Sequence, residues 1–148
     1  MRFGGWIRGL GALVAVAIAA PVAAQDVPPT PDLEKSGWTL ITASDDTYVY
    51  MRPATASARD VRRVWTAYDS HKLLKRDGFA FRSVQSLGEF DCRRQVSRVV
   101  EELYHDRTGL KGRSWRSPKF VATPWAAPTP DSVGAVRMAF ACRALTDT

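Results

Sequence analysis

The chain has 148 residues, with 21 Lys and Arg against 15 Asp and Glu, a formal net charge of +6. This length predicts a single domain once an N-terminal export segment is removed. The positive charge is mild, and no repeat of basic and aromatic residues forms a platform for single-stranded nucleic acid, which excludes that class of partner. A mild positive charge favours attraction to anionic envelope polymers or acidic proteins instead.

Residues 1–24 predict a secretory signal peptide. An apolar run at 10–20 follows two arginines, and small residues precede a predicted cleavage between Ala24 and Gln25. The run is shorter than the roughly 20 apolar residues of a membrane-spanning helix, and no cysteine lies near the cut to carry a lipid. We therefore predict a periplasmic or secreted protein with no membrane segment after cleavage. Its mature chain would carry a net charge of +4, because cleavage removes two arginines and no acid.

Cys92 and Cys142, the two cysteines of the chain, predict one disulfide, because exported proteins fold in an oxidising compartment. In the chain-entropy model, a closed loop of about 50 residues stabilises a fold by roughly 4 kcal/mol. The alternatives are two free thiols or a redox pair. A redox pair usually has a Cys-x-x-Cys spacing, which is absent here.

In chain order, the proline-rich residues 25–37 predict a disordered or extended leader, and the domain itself is expected over 38–148. β-branched and aromatic residues predict strands at 38–43, 47–51, 61–68 and 79–87. The polar, basic residues between the last two, 69–78, predict a mobile loop.

Residues 96–104 allow two interpretations. Their apolar residues recur at i, i+3, i+4, i+7 and i+8, the spacing of one helix face. The short apolar run Val99-Val100 also suits a strand. Periodicity alone favours the helix.

Residues 109–123 predict a turn and an irregular stretch with one short strand, and 125–128 an apolar loop. Thr129 and Pro130 then predict an N-cap and first helical position, for a final helix over 130–143. Its spacing places Met138 and Cys142 on one side, where Cys142 can meet Cys92.

Several short motifs occur in an order that resembles a known family. They are Trp38, Tyr48-Val49-Tyr50, Arg63-Val64-Trp65-Thr66-Ala67-Tyr68, Phe90-Asp91-Cys92, Thr129-Pro130-Asp131-Ser132 and Cys142. The chain resembles the surface-adhesin protein E domain of bacterial envelope proteins from residue 38 to residue 142. The resemblance implies an α+β fold, an antiparallel β-sheet of about five to six strands with a C-terminal helix tied to it by one disulfide. It also implies a strand at 96–104, which we adopt over the helix.

The resemblance implies a non-enzymatic envelope domain without a cofactor. His71 and His105 are expected to be exposed loop residues, and two distant histidines cannot supply the three or four converging ligands of a metal site. The run Asp69-Ser70-His71 is not expected to form a catalytic triad, whose members converge from separate segments. No Gly-rich phosphate-binding loop is present.

Basic residues form three groups: Arg59, Arg62 and Arg63; Lys72, Lys75 and Arg76; and Lys111, Arg113, Arg116 and Lys119. Because most charged residues of a protein are exposed, the simplest interpretation is that these groups are solvated and keep the domain soluble. The functional alternative is that the last two groups bind an anionic glycan or an acidic segment of an envelope or extracellular protein. The predicted partner contact, here called the contact group, comprises Lys111, Arg113, Trp115, Arg116 and Lys119.

Trp38 and Trp65 are expected in the core, whereas Trp115 and Trp125 are expected as exposed anchors for a partner. Two other functions stay open from the sequence. One is a structural or stress-related periplasmic protein without a specific ligand, and the other is a small hydrolase.

Overall fold

The sheet of this protein follows the order of its strands in the chain. A computed structural model describes residues 31–54 and 60–143. The strands are β1 (Thr39–Ala43), β2 (Thr47–Pro53), β3 (Val61–Arg76), β4 (Phe79–Asp91), β5 (Val96–His105) and β6 (Ser114–Trp115). They form a six-stranded sheet in which each strand pairs antiparallel with the next. The helices are α1 (Pro31–Lys35) and α2 (Val133–Arg143). The predicted α+β fold is therefore confirmed.

Some predictions fall on residues that the structure does not describe. They are the signal peptide, its cleavage between Ala24 and Gln25, residues 25–30 of the leader, Arg59, and the last five residues of the chain.

The two faces of the sheet are covered by different parts of the chain, because successive side chains of a strand point to opposite sides. On one side, which we call the helix face, Met138 and Ala141 of α2 pack on Met51, Val64 and Phe90. The helix covers only the end of this face where β4 finishes.

The other side is the loop face. Here Leu33 of α1 and Trp38 pack on Tyr50 and Ala67, with Leu110 from the segment after β5 against them. Trp38 is buried as expected, and Trp65 packs half-buried at the edge of this cluster.

The predicted disulfide is confirmed. Cys92, just after β4, bonds to Cys142 in the last turn of α2, with a Cα–Cα distance of 5.6 Å. The start of α2 differs from the prediction, because Asp131 has a left-handed backbone (φ 56°) that cannot belong to a helix. Ser132 caps the helix instead, and its Oγ accepts a hydrogen bond from the Ala135 N–H at 3.2 Å.

The prediction of a disordered leader is wrong for residues 31–37. Pro31–Lys35 form a short helix, and Leu33 is buried against the loop face. The Trp38 N–H donates to the Leu33 carbonyl at 3.1 Å. The buried Leu33 side chain and this hydrogen bond together dock the segment next to Trp38.

The prediction of a mobile loop at 69–78 is also wrong. β3 continues to Arg76, and the hairpin turns at Asp77 and Gly78, whose φ angles are 47° and 82°. Positive φ at both central residues is the geometry of a two-residue type I′ turn, for which Asp-Gly is a preferred sequence. We call residues 70–82 the β3–β4 arm. The register shifts between Asp69 and Leu74, so a bulge separates the arm from the main sheet.

The strand at 96–104 is confirmed, and the helix that periodicity favoured is wrong. Leu87 pairs with Glu101 whereas the next residue, Gly88, pairs with Val99, so Val100 is an extra residue in β5. This bulge breaks the two-residue alternation of the strand. Apolar residues lie on both faces of β5, with Val99 and Tyr104 on one side and Val96 and Leu103 on the other, and together they have a spacing that imitates a helix.

Candidate binding cleft

The contact group does not form one free cationic surface. Lys111 pairs with Asp32, Arg113 Nε lies 3.0 Å from Asp106 Oδ2, and Arg116 pairs with Glu101. The partner carboxylates respond accordingly. The hydrogen bond from Lys111 lowers the pKa of Asp32, and the hydrogen bond from Arg113 lowers the pKa of Asp106. The charge of these three cations is therefore largely matched within the chain.

The two tryptophans expected as exposed anchors are both half-buried. Trp115 stacks on Phe79, with 5.5 Å between the ring centroids, and also lies beside Tyr104. Trp125 lies under the guanidinium of Arg98, 4.7 Å from the ring centroid. Both side chains are already engaged by their own domain.

A different group of residues lines a cleft of about 500 Å³ on the part of the helix face that α2 leaves open. Its floor is apolar and largely aromatic, built from Tyr68, Phe81, Val84 and Tyr104. Lys75, Arg76 and Arg82 line it from the β3–β4 arm. We call this the basic–aromatic cleft.

Strand register explains how the floor is assembled. Tyr68 on β3 lies opposite Val84 on β4, which lies opposite Tyr104 on β5, so the three side chains form one row on the same face. Phe81 meets Tyr104 edge to face, with 4.9 Å between centroids. Leu74 pairs with Phe81 across the arm and remains 43% exposed. An aliphatic side chain thus stands at the rim of an aromatic floor.

The cations of the cleft are not neutralised in the way that the contact group is. Arg82 donates to the His71 carbonyl, and the Arg76 guanidinium lies 5.9 Å from the centroid of the Tyr104 ring. Within the described part of the chain, no carboxylate forms an ion pair with Lys75 or with either arginine. Lys72, the remaining cation of the same sequence group, is paired with Asp46.

Glu102 is the carboxylate of the cleft, and it is bound to a neighbour. The Tyr104 hydroxyl donates to Glu102 Oε2 at 2.6 Å. Burial raises the pKa of Tyr104, and the hydrogen bond to Glu102 raises it further. Tyr104 therefore stays protonated at neutral pH and donates to the Glu102 carboxylate. The balance of the cleft is positive because Lys75, Arg76 and Arg82 outnumber this one carboxylate in its lining.

A second, smaller hollow of about 120 Å³ adjoins the cleft beside the start of α2. Val49, Tyr68 and Val133 line it together with β1 residues such as Thr42. Tyr68 and Thr47 border both the hollow and the cleft. Val133 at the first position of α2 is 41% exposed. We call this the apolar hollow.

The histidines do not lie in loops, contrary to the prediction. His105 is buried at the end of β5, and burial lowers its pKa, opposed by the nearby Asp106. His71 lies in β3, in edge contact with the Tyr48 ring at 5.2 Å. In both, Nε2 is buried without a hydrogen-bond partner among the described residues.

The Asp69-Ser70-His71 run lies in β3, not in the mobile loop that was predicted for residues 69–78. Asp69 Oδ1 accepts from the Gly109 N–H at 2.9 Å, and Ser70 Oγ accepts from the Lys72 N–H at 3.1 Å. Both side chains therefore accept hydrogen bonds from backbone N–H groups. In residues 31–54 and 60–143, no group of three His, Cys, Asp or Glu is placed to hold a metal ion.

Sequence reasoning named Lys75 and Arg76 but missed the floor of the cleft. Tyr68, Phe81 and Tyr104 were assigned to separate elements, and their shared face depends on a register that one sequence does not display. One signal was available. The Asp77-Gly78 pair before a β-prone segment indicates a hairpin, which would have set Phe81 opposite Leu74, next to the basic residues before the turn.

The profile of the surface-adhesin protein E family matches residues 38–143. The chain belongs to the surface-adhesin protein E family. This membership identifies it as a surface-adhesin-like protein of the cell envelope, and family members are generally not enzymes.

Crystal structures of Haemophilus influenzae protein E share the fold. One crystal form is 17% identical with a TM-score of 0.59, covering 89% of this chain and 99% of that chain. A second structure is 15% identical with a TM-score of 0.53, covering 73% and 88%. Protein E from non-typeable H. influenzae is 16% identical with a TM-score of 0.51, covering 86% and 80%. At these identities the likeness supports the fold alone.

A comparison with curated protein sequences found no match. Among the helices of the described residues, none has the length and apolar character needed to span a bilayer.

Proposed function

We propose that this protein is an exported, non-enzymatic member of the surface-adhesin protein E family that binds an anionic ligand in the basic–aromatic cleft. The ligand class is an acidic protein segment or an anionic glycan. One observation carries the proposal: Lys75, Arg76 and Arg82 border an aromatic floor without a carboxylate in ion-pair contact among the described residues. Cations placed over an apolar floor favour a ligand that brings its own negative charge.

The contact group is a weaker candidate for the same role, for an electrostatic reason. A ligand carboxylate that binds Lys111 or Arg113 must compete with Asp32 or Asp106. Exposed ion pairs are individually worth only about 0–1 kcal/mol, so the competition is not severe. The pairing does reduce the net field that would attract an anion, because among the described residues Lys119 is the one cation of the contact group without an ion pair. The cations of the cleft have no ion pair among the described residues, so their positive field remains.

The chemistry of the cleft favours binding over catalysis. A nucleophilic site needs a nucleophile within hydrogen-bond reach of a base. Tyr104 is held protonated by burial and by Glu102, and Ser70 accepts a backbone N–H. None of the hydrogen bonds of the described residues joins a serine of the cleft to a histidine.

Isothermal titration calorimetry with three polymers tests the proposal: poly-L-glutamate, heparin and uncharged dextran. We expect at least one of the two polyanions to bind, with an affinity that falls as salt rises, and dextran not to bind. Lys75→Glu/Arg76→Glu should weaken binding by about tenfold or more, a loss of ~1.4 kcal/mol that two lost charge-assisted contacts readily supply.

Lys111→Glu/Arg113→Glu is the matched control, since it reverses the same number of charges and changes the net charge equally. It should alter the affinity much less than the cleft variant does. The proposal fails if neither polyanion binds, which would favour a structural protein without a ligand. It fails equally if the control variant loses binding and the cleft variant keeps it.

A further inference from the structure

The apolar hollow has no role in a site that recognises charge alone. We infer that the ligand of the cleft is an acidic peptide segment carrying an apolar side chain, whose carboxylates bind the cations while the apolar side chain enters the hollow. This inference rests on the proposed function and adds the class of partner to it.

The two depressions are neighbours in the fold. Tyr68 and Thr47 border both of them, so a ligand that fills the cleft reaches the hollow by crossing the Tyr68 ring. The cationic groups belong to the β3–β4 arm, and Val133 belongs to the start of α2. An extended chain that lies across Tyr68 therefore meets positive charge at one end and an apolar wall at the other.

The apolar surface at both ends favours a peptide over a glycan. Leu74 stands at the rim of the cleft and is 43% exposed, and Val133 at the hollow is 41% exposed. Burying such aliphatic surface is favourable only against another apolar group. A charged polysaccharide offers carboxylates or sulfates but no aliphatic side chain, whereas a peptide supplies both kinds of group on neighbouring residues.

The shape of the site favours a peptide over a lipid surface. The floor at Phe81 and Tyr104 is buried, below a rim formed by the arm. A flat bilayer surface would reach Leu73 and Leu74 on the arm but would leave the floor and the hollow unfilled. An extended peptide can place single side chains into each of them.

The cations also have suitable chemistry. Arg76 and Arg82 present planar guanidinium groups, which bind carboxylates with two parallel hydrogen bonds, and Lys75 adds a compact charge. Glu102 faces these groups from β5 with a hydrogen bond from the Tyr104 hydroxyl, and its carboxylate offsets one of the three positive charges. Two or three acidic residues of a peptide would balance this arrangement.

Two synthetic peptides test the inference by calorimetry. Each has six glutamates around a central residue, which is leucine in one and serine in the other. We expect the leucine peptide to bind wild-type protein about tenfold more tightly, a difference of ~1.4 kcal/mol, because the hollow takes its side chain out of water. This comparison requires no variant protein.

Val133→Asp should lower the affinity for the leucine peptide to that for the serine peptide. Aspartate is favourable in the first turn of a helix, so the substitution leaves α2 intact. The matched control is Val136→Asp on the same helix, since Val136 is 37% exposed but does not line the hollow. Val136→Asp should change the affinity for the leucine peptide by less than about twofold, which corresponds to ~0.4 kcal/mol.

The possible failures are distinguishable. If both peptides bind equally and Lys75→Glu/Arg76→Glu weakens both, the proposed function stands and the inference about the apolar side chain is overturned. If neither peptide binds but heparin does, the partner is a glycan. If neither peptide binds but vesicles that contain phosphatidylglycerol do, the partner is a lipid surface. Either result overturns the inference. If none of these probes binds, the proposed function itself fails.

Discussion

The disulfide makes a prediction whose size follows from the fold. Cys92→Ser/Cys142→Ser opens a loop with a sequence separation of 50 residues. The chain-entropy model assigns such a loop roughly 4 kcal/mol of stabilisation. Domains of this size have a free energy of unfolding of only about 5–15 kcal/mol. We therefore expect the double variant to lose a large share of its stability, with a fall in Tm of about 15 °C.

Urea unfolding followed by tryptophan fluorescence measures this loss, because Trp38 is buried in the loop-face core. Wild-type protein in reductant should unfold at the same urea concentration as the serine variant. Reductant should not change the unfolding midpoint of the serine variant. A loss of less than about 1 kcal/mol would refute the argument that loop closure stabilises this fold.

The same variant separates stability from binding. α2 also packs on the sheet through Met138, Ala141 and Phe140, so we expect it to stay in place without the disulfide. The basic–aromatic cleft lies on the part of the helix face that α2 leaves open, away from the Cys92 end of β4. Under conditions where the serine variant is folded, its affinity for poly-L-glutamate should therefore match that of wild type.

Two further predictions concern the core and pH. Met138 is 3% exposed between α2 and the sheet, so Met138→Ala should cost about 2–5 kcal/mol in urea unfolding, and a loss below that range would mean that the helix is not packed on the sheet. The folded-state pKa of His105 is lowered from its usual 6.5, so the unfolded chain takes up its proton first as pH falls. Wild-type stability should thus decline from pH 7 to pH 5 more steeply than that of His105→Asn, and parallel pH profiles would contradict the buried, neutral histidine.

Local sequence signals predicted the elements that depend on local chemistry. β-Branched and aromatic residues indicated the first strands, and the two cysteines of an exported chain indicated the disulfide. The hairpin at Asp77-Gly78 was equally local, but the polar residues of the arm hid it. Lys72, Lys75 and Arg76 have little intrinsic strand preference, and they form a strand because β4 supplies a pairing partner.

Features that depend on register were beyond local signals. Apolar residues on both faces of β5 gave this strand a helical spacing, and only the family resemblance corrected the interpretation. The assembly of Tyr68, Val84 and Tyr104 into one floor depends on pairing across β3, β4 and β5. Whether a surface cation is neutralised is likewise decided by distant residues, as Lys111 and Asp32 show. For that reason the contact group was the more obvious prediction from sequence.

Chemical-shift mapping tests the central claim most directly. The ¹⁵N-labelled protein would be titrated with the six-glutamate peptide that carries leucine, and the amide signals followed by two-dimensional NMR. We predict that the largest shifts come from Tyr68, Phe81, Val84 and Tyr104, with Val133 shifting alongside them. Shifts confined to residues 111–119, or spread evenly over all exposed basic residues, would contradict a binding site in the basic–aromatic cleft.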